Sequence, residues 1–347
     1  MNENENNLGR ITVLIVAHKR KKFLKQAVLS VKTQLQITNE VDIIVIKNFE
    51  DAIIETFLKE NCVSSYTSTE EGLGSKLSFG IKKAKGEIVC FLEDDDLFIE
   101  NKLQEMVKVM ADVKVGYYHN NFEVVNEEAK LIPSPFLLTT KANFCKVEIN
   151  GLKMGIYNRL VRQGATFNLS CVTIRKSILL QHFLALARLN TAIENFLFYL
   201  ALDSGYTIVI DSQKTTRYRI HGENFSISKQ PNLEQFTMKK IEFLKNDIKA
   251  YEIILSSITN PSLRKHVQYR TIFPIAAMLI LDQRSVEHYS LDKIDAIFEA
   301  IRNRSILLAG LVIVSFLTKF FPLVGKVIYY RYDKHLYKKA TVLHNYS

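Results

Sequence analysis

The sequence predicts an α/β protein: a doubly wound, mainly parallel sheet with flanking helices, followed by a helical C-terminal region. Three observations carry this reading. Three short apolar runs rich in Val and Ile stand at 11–17, 41–46 and 87–92, with a shorter strand-like piece at 63–66. Segments with helical spacing of apolar residues separate them. After about residue 230 the strand signal stops and long helical patterns take over. Strands divided by helices need right-handed crossovers, so they run parallel with helices on both faces.

Each element has its own reason. Residues 11–17 are a continuous β-branched run, as in a strand buried on both faces. Residues 22–36 place Phe23, Leu24, Ala27, Val28, Val31 and Leu35 on one helical stripe. A second strand is expected at 41–46, a short helix at 52–58 and a third strand at 63–66. Residues 73–84 read as a helix, 87–92 as the fourth strand and 102–110 as the helix after it. Strand-like pieces follow at 115–119 and 122–125. A helix is expected to start near Arg175 and another to span 192–202, before short strands at 206–210 and 215–220. Helices are expected at 232–256, 263–281 and 291–302.

Composition narrows the class. The chain has 347 residues, enough for one large or two medium domains. The expected division is a disordered polar N-terminus at 1–9, a catalytic-type α/β domain at 10–230 and a helical region at 231–347. Only 13 Gly and 6 Pro argue against long disordered linkers. The net charge of +10 suits anionic partners such as phosphorylated substrates or lipid. No basic run has the length or aromatic interleaving of a nucleic-acid module, so no nucleic-acid partner is expected. The cysteines Cys62, Cys90, Cys145 and Cys171 form no C-x-x-C pair, which argues for reduced thiols and against zinc. The first seven residues, polar after Met1 and without an apolar core, do not read as a signal peptide, which predicts a cytoplasmic chain or one at the cytoplasmic face of a membrane. Residues 305–318 carry no charge, short of the roughly 20 residues a spanning helix needs. With Lys319 and Lys326 around Pro322, they predict peripheral membrane contact. Nothing in the sequence sets an oligomeric state.

The chemistry concentrates at the end of the fourth strand, where Glu93, Asp94, Asp95 and Asp96 follow an apolar run. Adjacent carboxylates repel unless a cation or hydrogen-bond donors neutralise them. Hard oxygen ligands suit Mg²⁺ or Mn²⁺, which bind few carboxylates plus phosphate oxygens. Asp is also a good helix N-cap, so a capping turn is the competing reading. In an open α/β sheet, ligands bind beyond the carboxyl ends of the strands, where this cluster lies.

Taken in order, the motifs resemble a family 2 glycosyltransferase of the GT-A fold, over about residues 10–228. They are Ala17-His18-Lys19-Arg20 after strand one, the Gly72-Leu73-Gly74-Ser75-Lys76 helix entrance, and Ala84-Lys85-Gly86-Glu87. Next come Glu93 to Asp96, the Ile193-Glu194-Asn195 helix start, and Tyr218-Arg219-Ile220-His221 running on to Ser228. The resemblance implies inverting transfer of a sugar from a nucleotide-diphosphate sugar, UDP-sugar favoured, to a glycan or lipid-linked acceptor. It implies that Asp95 and His221 hold Mn²⁺ or Mg²⁺ and that Glu194 is the catalytic base. Ala17, His18, Arg20, Asn48, Gly74, Ser75, Lys76, Glu93, Asp94, Asp96 and Arg219 are the implied donor-binding residues. The family's uracil-holding carboxylate is missing at the end of strand two, which reads Lys47-Asn48-Phe49. That departure leaves two alternatives: a sugar-nucleotide-binding protein without catalysis, and a nucleotidyltransferase with a similar sheet.

Overall fold

The computed structural model describes residues 9–35, 39–133, 147–149, 157, 160–161, 164–221, 232–286, 298, 301 and 305–341. It divides into two compact units, Met1–His221 and Gly222–Ser347.

The first unit is built on one mixed sheet. Strands β1 (Ile11–Ala17), β2 (Val41–Lys47), β3 (Ser64–Thr67) and β4 (Ile88–Glu93) pair in parallel in the order β3-β2-β1-β4. The helices α1 (Leu24–Lys32), α2 (Ala52–Glu60) and α3 (Leu73–Lys83) connect them, as the sequence pattern requires. The centre of this half is continuous with the apolar runs: Val13, Ile15, Val45, Cys90 and Leu92 share one core with Leu24, Val28 and Met106. Register matters for function. Ala17 lies opposite Lys47, and Val16 opposite Glu93, so the first, second and fourth strands end at one level.

Beyond β4 the sheet is mixed: β6 and β9 pair in parallel and the remaining pairs are antiparallel. The two-residue strand β5 (Leu97–Phe98) and helix α4 (Lys102–Met110) lead to β6 (Val115–Val125). The short β7 (Val147–Ile149), then β8 (Val172–Arg175), helices α5 (Phe183–Ala187) and α6 (Ile193–Asp203), and β9 (Thr207–Arg219) complete the unit. The order continues β4-β8-β6-β9-β5, with β7 on β9. Strand β8 inserts between β4 and β6, antiparallel to both. Its β-branched Val172, Thr173 and Ile174 are buried, whereas the sequence predicts a helix starting near Arg175. A single 3₁₀ turn, Lys176–Leu179, stands there instead. The expected strand pairs at 115–125 and 206–220 are each one long strand, β6 and β9. Register shifts at His119/Asn121 and Asn121/Phe122 break the alternation that would have marked β6 as continuous.

The second unit is helical: α7 (Leu233–Ser257), α8 (Pro261–Leu281), α9 (Ile306–Leu317) and α10 (Pro322–Thr341). Helix α8 touches the other three. Asn232 caps α7 through the Gln235 N–H, and Asn260 caps α8 through Ser262 and Leu263. The core gathers Phe236, Leu244, Ile248, Met278, Val312 and Tyr329. The helix expected at 291–302 lies outside the described residues, except for the helical backbone at 298 and 301.

Candidate active site

The acidic run forms a closed turn at the sheet edge, with the Asp96 N–H donating to the Glu93 carbonyl at 3.2 Å. Asp94, Asp95 and Asp96 are all buried, so each carboxylate needs a partner. The partners differ and divide the run by role. Asp96 Oδ2 accepts from Asn168 Nδ2 at 2.9 Å and Ser170 Oγ at 2.7 Å, and Oδ1 accepts the Arg219 N–H at 2.9 Å. Both its oxygens are taken by the protein, so Asp96 locks the turn, the loop-supporting role the resemblance implies beside an approach to the sugar. Burial and the Asp95 charge still push its carboxyl up to about 7, against those hydrogen bonds.

Asp95 faces the other way. Its Oδ2 lies 2.7 Å from Arg20 Nη1 and 3.0 Å from His221 Nε2. Burial acts to raise its pKa, but the His221 hydrogen bond and the Arg20 charge outweigh it and hold Asp95 below the usual carboxylate range. Asp94 Oδ1 receives Arg20 Nη2 at 2.6 Å, yet burial and Asp95 push it up to about 7. Arg20 thus bridges two carboxylates in the fork geometry only a guanidinium offers.

Arg219 also serves the turn. Nε donates to the Asp95 carbonyl at 2.7 Å, Nη2 to Gln26 Oε1 at 2.6 Å, and Nη1 to the Glu127 carbonyl. Its guanidinium stacks 4.4 Å from the Phe23 ring centroid. The positive charge expected to face a diphosphate is turned into backbone carbonyls and clamps the acidic turn to α1.

Glu194 stands in the first turn of α6, where the helix dipole favours an anion. Burial raises its pKa, against the nearby Glu194 and Leu169 backbone N–H groups, which favour the anion. Its charge reaches Glu93, whose own carboxyl is raised well up by burial and by Asp95, Asp96, Glu194 and Asp94. The neighbouring Asn195 Oδ1 is buried with no hydrogen-bond partner among the described residues. Two non-glycine residues with left-handed backbone flank this corner: Ala192 (φ 55°), the N-cap of α6, and Asn168 (φ 66°), beside Leu169. Backbone strain of this kind collects at functional sites.

A second cluster forms at the ends of β1 and β2. His18 Nδ1 lies 2.9 Å from Lys76 Nζ and 3.2 Å from Asn48 Nδ2. Asn48 Oδ1 accepts the Lys19 N–H at 2.8 Å. Burial and then the Lys76 charge lower the His18 pKa, so the imidazole is neutral at pH 7 and Nδ1 accepts. Lys76 itself is buried, donates to the Glu71 carbonyl at 2.9 Å, and has its pKa lowered by burial. The exposed Glu71 carboxylate lies 3.3 Å from Lys19 Nζ and 3.7 Å from His18 Nε2. In the sequence Glu71 stands at the head of the glycine motif with no role of its own. The only signal was the Glu70-Glu71 pair before the glycines, and its place at this edge depends on a loop path that no periodicity encodes.

Gly74 and Ser75 have a different job from the nucleotide contact expected of them. The Gly74 N–H donates to the Leu189 carbonyl at 3.0 Å, and Ser75 Oγ to the Ala187 carbonyl at 2.8 Å. A Cβ on Gly74 would stand 2.1 Å from the Leu186 carbonyl oxygen, so only glycine lets α3 pass this close to the 183–190 segment.

The pair Asp95 and His221 fits a divalent cation. Arg20 Nη1 also lies 3.3 Å from His221 Nε2, so cation, imidazole and carboxylate meet at one point. His221 Nε2 and Asp95 Oδ2 lie 3.0 Å apart, a spacing two ligands of one octahedral ion take at bond lengths of about 2.1 Å once the ion displaces the proton between them. Among the described residues no group of three or more His, Cys, Asp or Glu could hold an ion, so most ligands would come from substrate and water. The continuation of the His221 motif, 222–228, lies outside the described residues.

Residues 12–179 match the family model described as Glycosyl transferase family 2, and this part of the chain is a domain of that family. An uncharacterized glycosyltransferase of Rickettsia bellii is 30% identical over 128 residues, covering 36% of this chain and 19% of that protein. The chain spans about a fifth of the length of this and two further Rickettsia relatives. Among solved structures, residues 1–349 of S. aureus TarS in complex with UDP-GlcNAc superpose with a TM-score of 0.51 at 13% identity. The match covers 89% of this chain and 92% of that one. Mannosyltransferase PcManGT from Pyrobaculum calidifontis, in complex with GDP-Man and Mn²⁺, gives 0.51 at 12% identity, covering 90% and 87%. These likenesses establish the shared GT-A-like fold.

Proposed function

We propose, from the premise that residues 12–179 are a family 2 glycosyltransferase domain, that the chain transfers a sugar with inversion from a nucleoside-diphosphate sugar to an acceptor hydroxyl. The observation that carries this reading is the meeting of Asp95, His221 and Arg20 on one side of the acidic turn, with Glu93 and Glu194 within electrostatic reach. Two structural neighbours are solved with UDP-GlcNAc and GDP-Man, which supports this class of donor.

The donor's base is assigned to the cluster of His18, Asn48, Lys76 and Glu71, whose amide, ammonium and carboxylate groups complement a base edge. Uridine is favoured, with the Glu71 carboxylate in place of the missing one on β2. Its diphosphate is assigned to Arg20, Asp95 and His221. Asp95 and His221 would hold Mn²⁺ or Mg²⁺, which supplies Lewis-acid stabilisation of a departing diphosphate. An imidazole in the donor set favours Mn²⁺.

Glu194 takes the proton of the acceptor hydroxyl, and its raised pKa makes it a better base than an ordinary carboxylate. The hydroxyl oxygen forms its bond to the anomeric carbon from the face opposite the leaving group. The bond from that carbon to the β-phosphate oxygen breaks, and the electron pair leaves with the nucleoside diphosphate. One displacement inverts the centre. Asn195 Oδ1 offers a second acceptor to the incoming hydroxyl. The acceptor itself is a glycan, a polysaccharide or a lipid-linked sugar.

A panel of nucleotide sugars assayed for Mn²⁺-dependent hydrolysis tests the proposal. The expected product is a nucleoside diphosphate, and Asp95→Ala abolishes its release while circular dichroism stays unchanged. Pyrophosphate release from a nucleoside triphosphate would replace this reading with nucleotidyl transfer. Tight donor binding without turnover would leave a binding protein.

A further inference from the structure

The hairpin of α9 and α10 carries a feature the transfer reaction does not use. Phe316, Leu317, Phe320, Phe321, Leu323 and Val324 crowd its tip, and each is between 48% and 69% exposed. Single exposed apolar side chains are ordinary, whereas contiguous patches mark interaction surfaces. This patch is not a core face turned outward. The other side of the hairpin already supplies Leu308, Val312 and Tyr329 to the core of the helical unit. The tip is also firmly built: a Cβ on Gly325 would stand 2.2 Å from Thr318 Oγ1, so glycine lets α10 fold back tightly on the end of α9.

Charge selects the occupant. Residues 305–341 contain six basic side chains, Lys319, Lys326, Arg331, Lys334, Lys338 and Lys339, and one acidic one, Asp333. Asp333 already receives Lys240 Nζ at 2.7 Å. Lys319 sits within the apolar tip and Lys326 just after it, and exposed Arg331 and Lys334 lie further along α10. An apolar wedge with a basic collar matches a bilayer surface, where apolar groups enter the acyl boundary by about 5–10 Å and cations meet anionic headgroups. Helix α9 has 12 residues, about 18 Å at 1.5 Å per residue and well short of the roughly 30 Å hydrocarbon core. No helix among the described residues is long and apolar enough to cross a membrane.

We propose that the tip of the α9–α10 hairpin is a peripheral anchor for a lipid surface rich in anionic headgroups, with Phe320, Phe321 and Leu323 entering the interface. This is independent of the donor chemistry. Flotation of the full chain with phosphatidylglycerol–phosphatidylcholine vesicles, and with phosphatidylcholine alone, tests it. The chain is expected to float with the anionic vesicles and to be released by high salt. The pair Phe320→Ser and Phe321→Ser should lower the bound fraction about tenfold, and Lys319→Glu with Lys326→Glu should abolish the preference for anionic lipid. Circular dichroism and donor hydrolysis should stay unchanged in both variants, which separates lost docking from lost folding. A chain that stays in solution with anionic vesicles overturns the proposal. So does undiminished binding by the Phe→Ser pair, or a dimer in light scattering that this pair dissociates without any vesicle binding, since a second copy then covers the face.

Discussion

The two ends of the candidate donor site are built on opposite principles. At the acidic turn, three buried carboxylates are held by donors from β9, the 168–170 turn and the loop after β1. At the base end, His18 and Glu71 are largely exposed, and the partners are a lysine, an amide and a loop. The first end is preorganised before any ligand arrives. The second is organised by the buried Lys76 together with His18 and Glu71, which still face solvent. Catalysis depends on groups fixed where charge develops, whereas binding the base tolerates looser groups because its contribution is the same in ground and transition state.

That contrast breaks most sharply at Glu194. Glu194→Gln keeps shape and hydrogen bonding but removes the base. Turnover should fall about 10³-fold with donor affinity unchanged, as measured by steady-state kinetics and calorimetric titration of the donor. The wild-type pH profile sharpens the same point. Glu194 acts when deprotonated, and its pKa is raised above the ordinary 4.5, so the acid limb of kcat should lie above that value. Rate should drop tenfold per pH unit below the limb, and the limb should vanish in Glu194→Gln. A limb at or below the ordinary carboxylate value would show that another group accepts the proton.

Next in size is Asp96. Replacing it by Ala strands the Asn168 amide, the Ser170 hydroxyl and the Arg219 N–H in a buried turn. Removing a buried, hydrogen-bonded partner of this kind costs about 3 kcal/mol, read as a lower midpoint in urea unfolding. Asp95→Ala, whose carboxylate faces Arg20 and His221, should cost less stability and more activity. If the two variants lose stability equally, the division of the acidic run into anchor and ligand fails. At the base end, Lys76→Met should raise the donor KM about tenfold and leave kcat within about twofold, the signature of uniform binding.

The same contrast explains what the sequence reveals. Strands β1, β2 and β4 were legible because buried strands are written as Val- and Ile-rich runs, and α4 falls at 102–110 as its apolar spacing requires. Strands β6 and β9 were read as pairs because register shifts and the exposed Gln213 and Lys214 interrupt their patterns. In the site, Asp95, Arg20, His221 and Glu194 announce themselves by charge at the ends of elements. Asn168 and Ser170 do not. They act by holding Asp96 across more than seventy residues, and no local pattern records such a partner. Arg219 and Ser75 show the converse: polar residues beside a motif, whose donors the fold has spent on backbone carbonyls.

The smallest expected effect probes the rigidity of the catalytic corner. Ala192 enters α6 in the left-handed region, where its Cβ crowds the following carbonyl at a cost of roughly 1–2 kcal/mol. Glycine adopts that conformation without the clash and is a better N-cap than alanine. It loses about 0.5–1 kcal/mol through the greater freedom of its unfolded chain. Ala192→Gly should therefore stabilise by about 0.5 kcal/mol, a small upward shift in the urea midpoint. Because the backbone N–H groups of Glu194 and Leu169 favour the Glu194 carboxylate, kcat should fall no more than about twofold. A larger loss of kcat with gained stability would mean that the strained alanine, and not the N–H pair, aims the base.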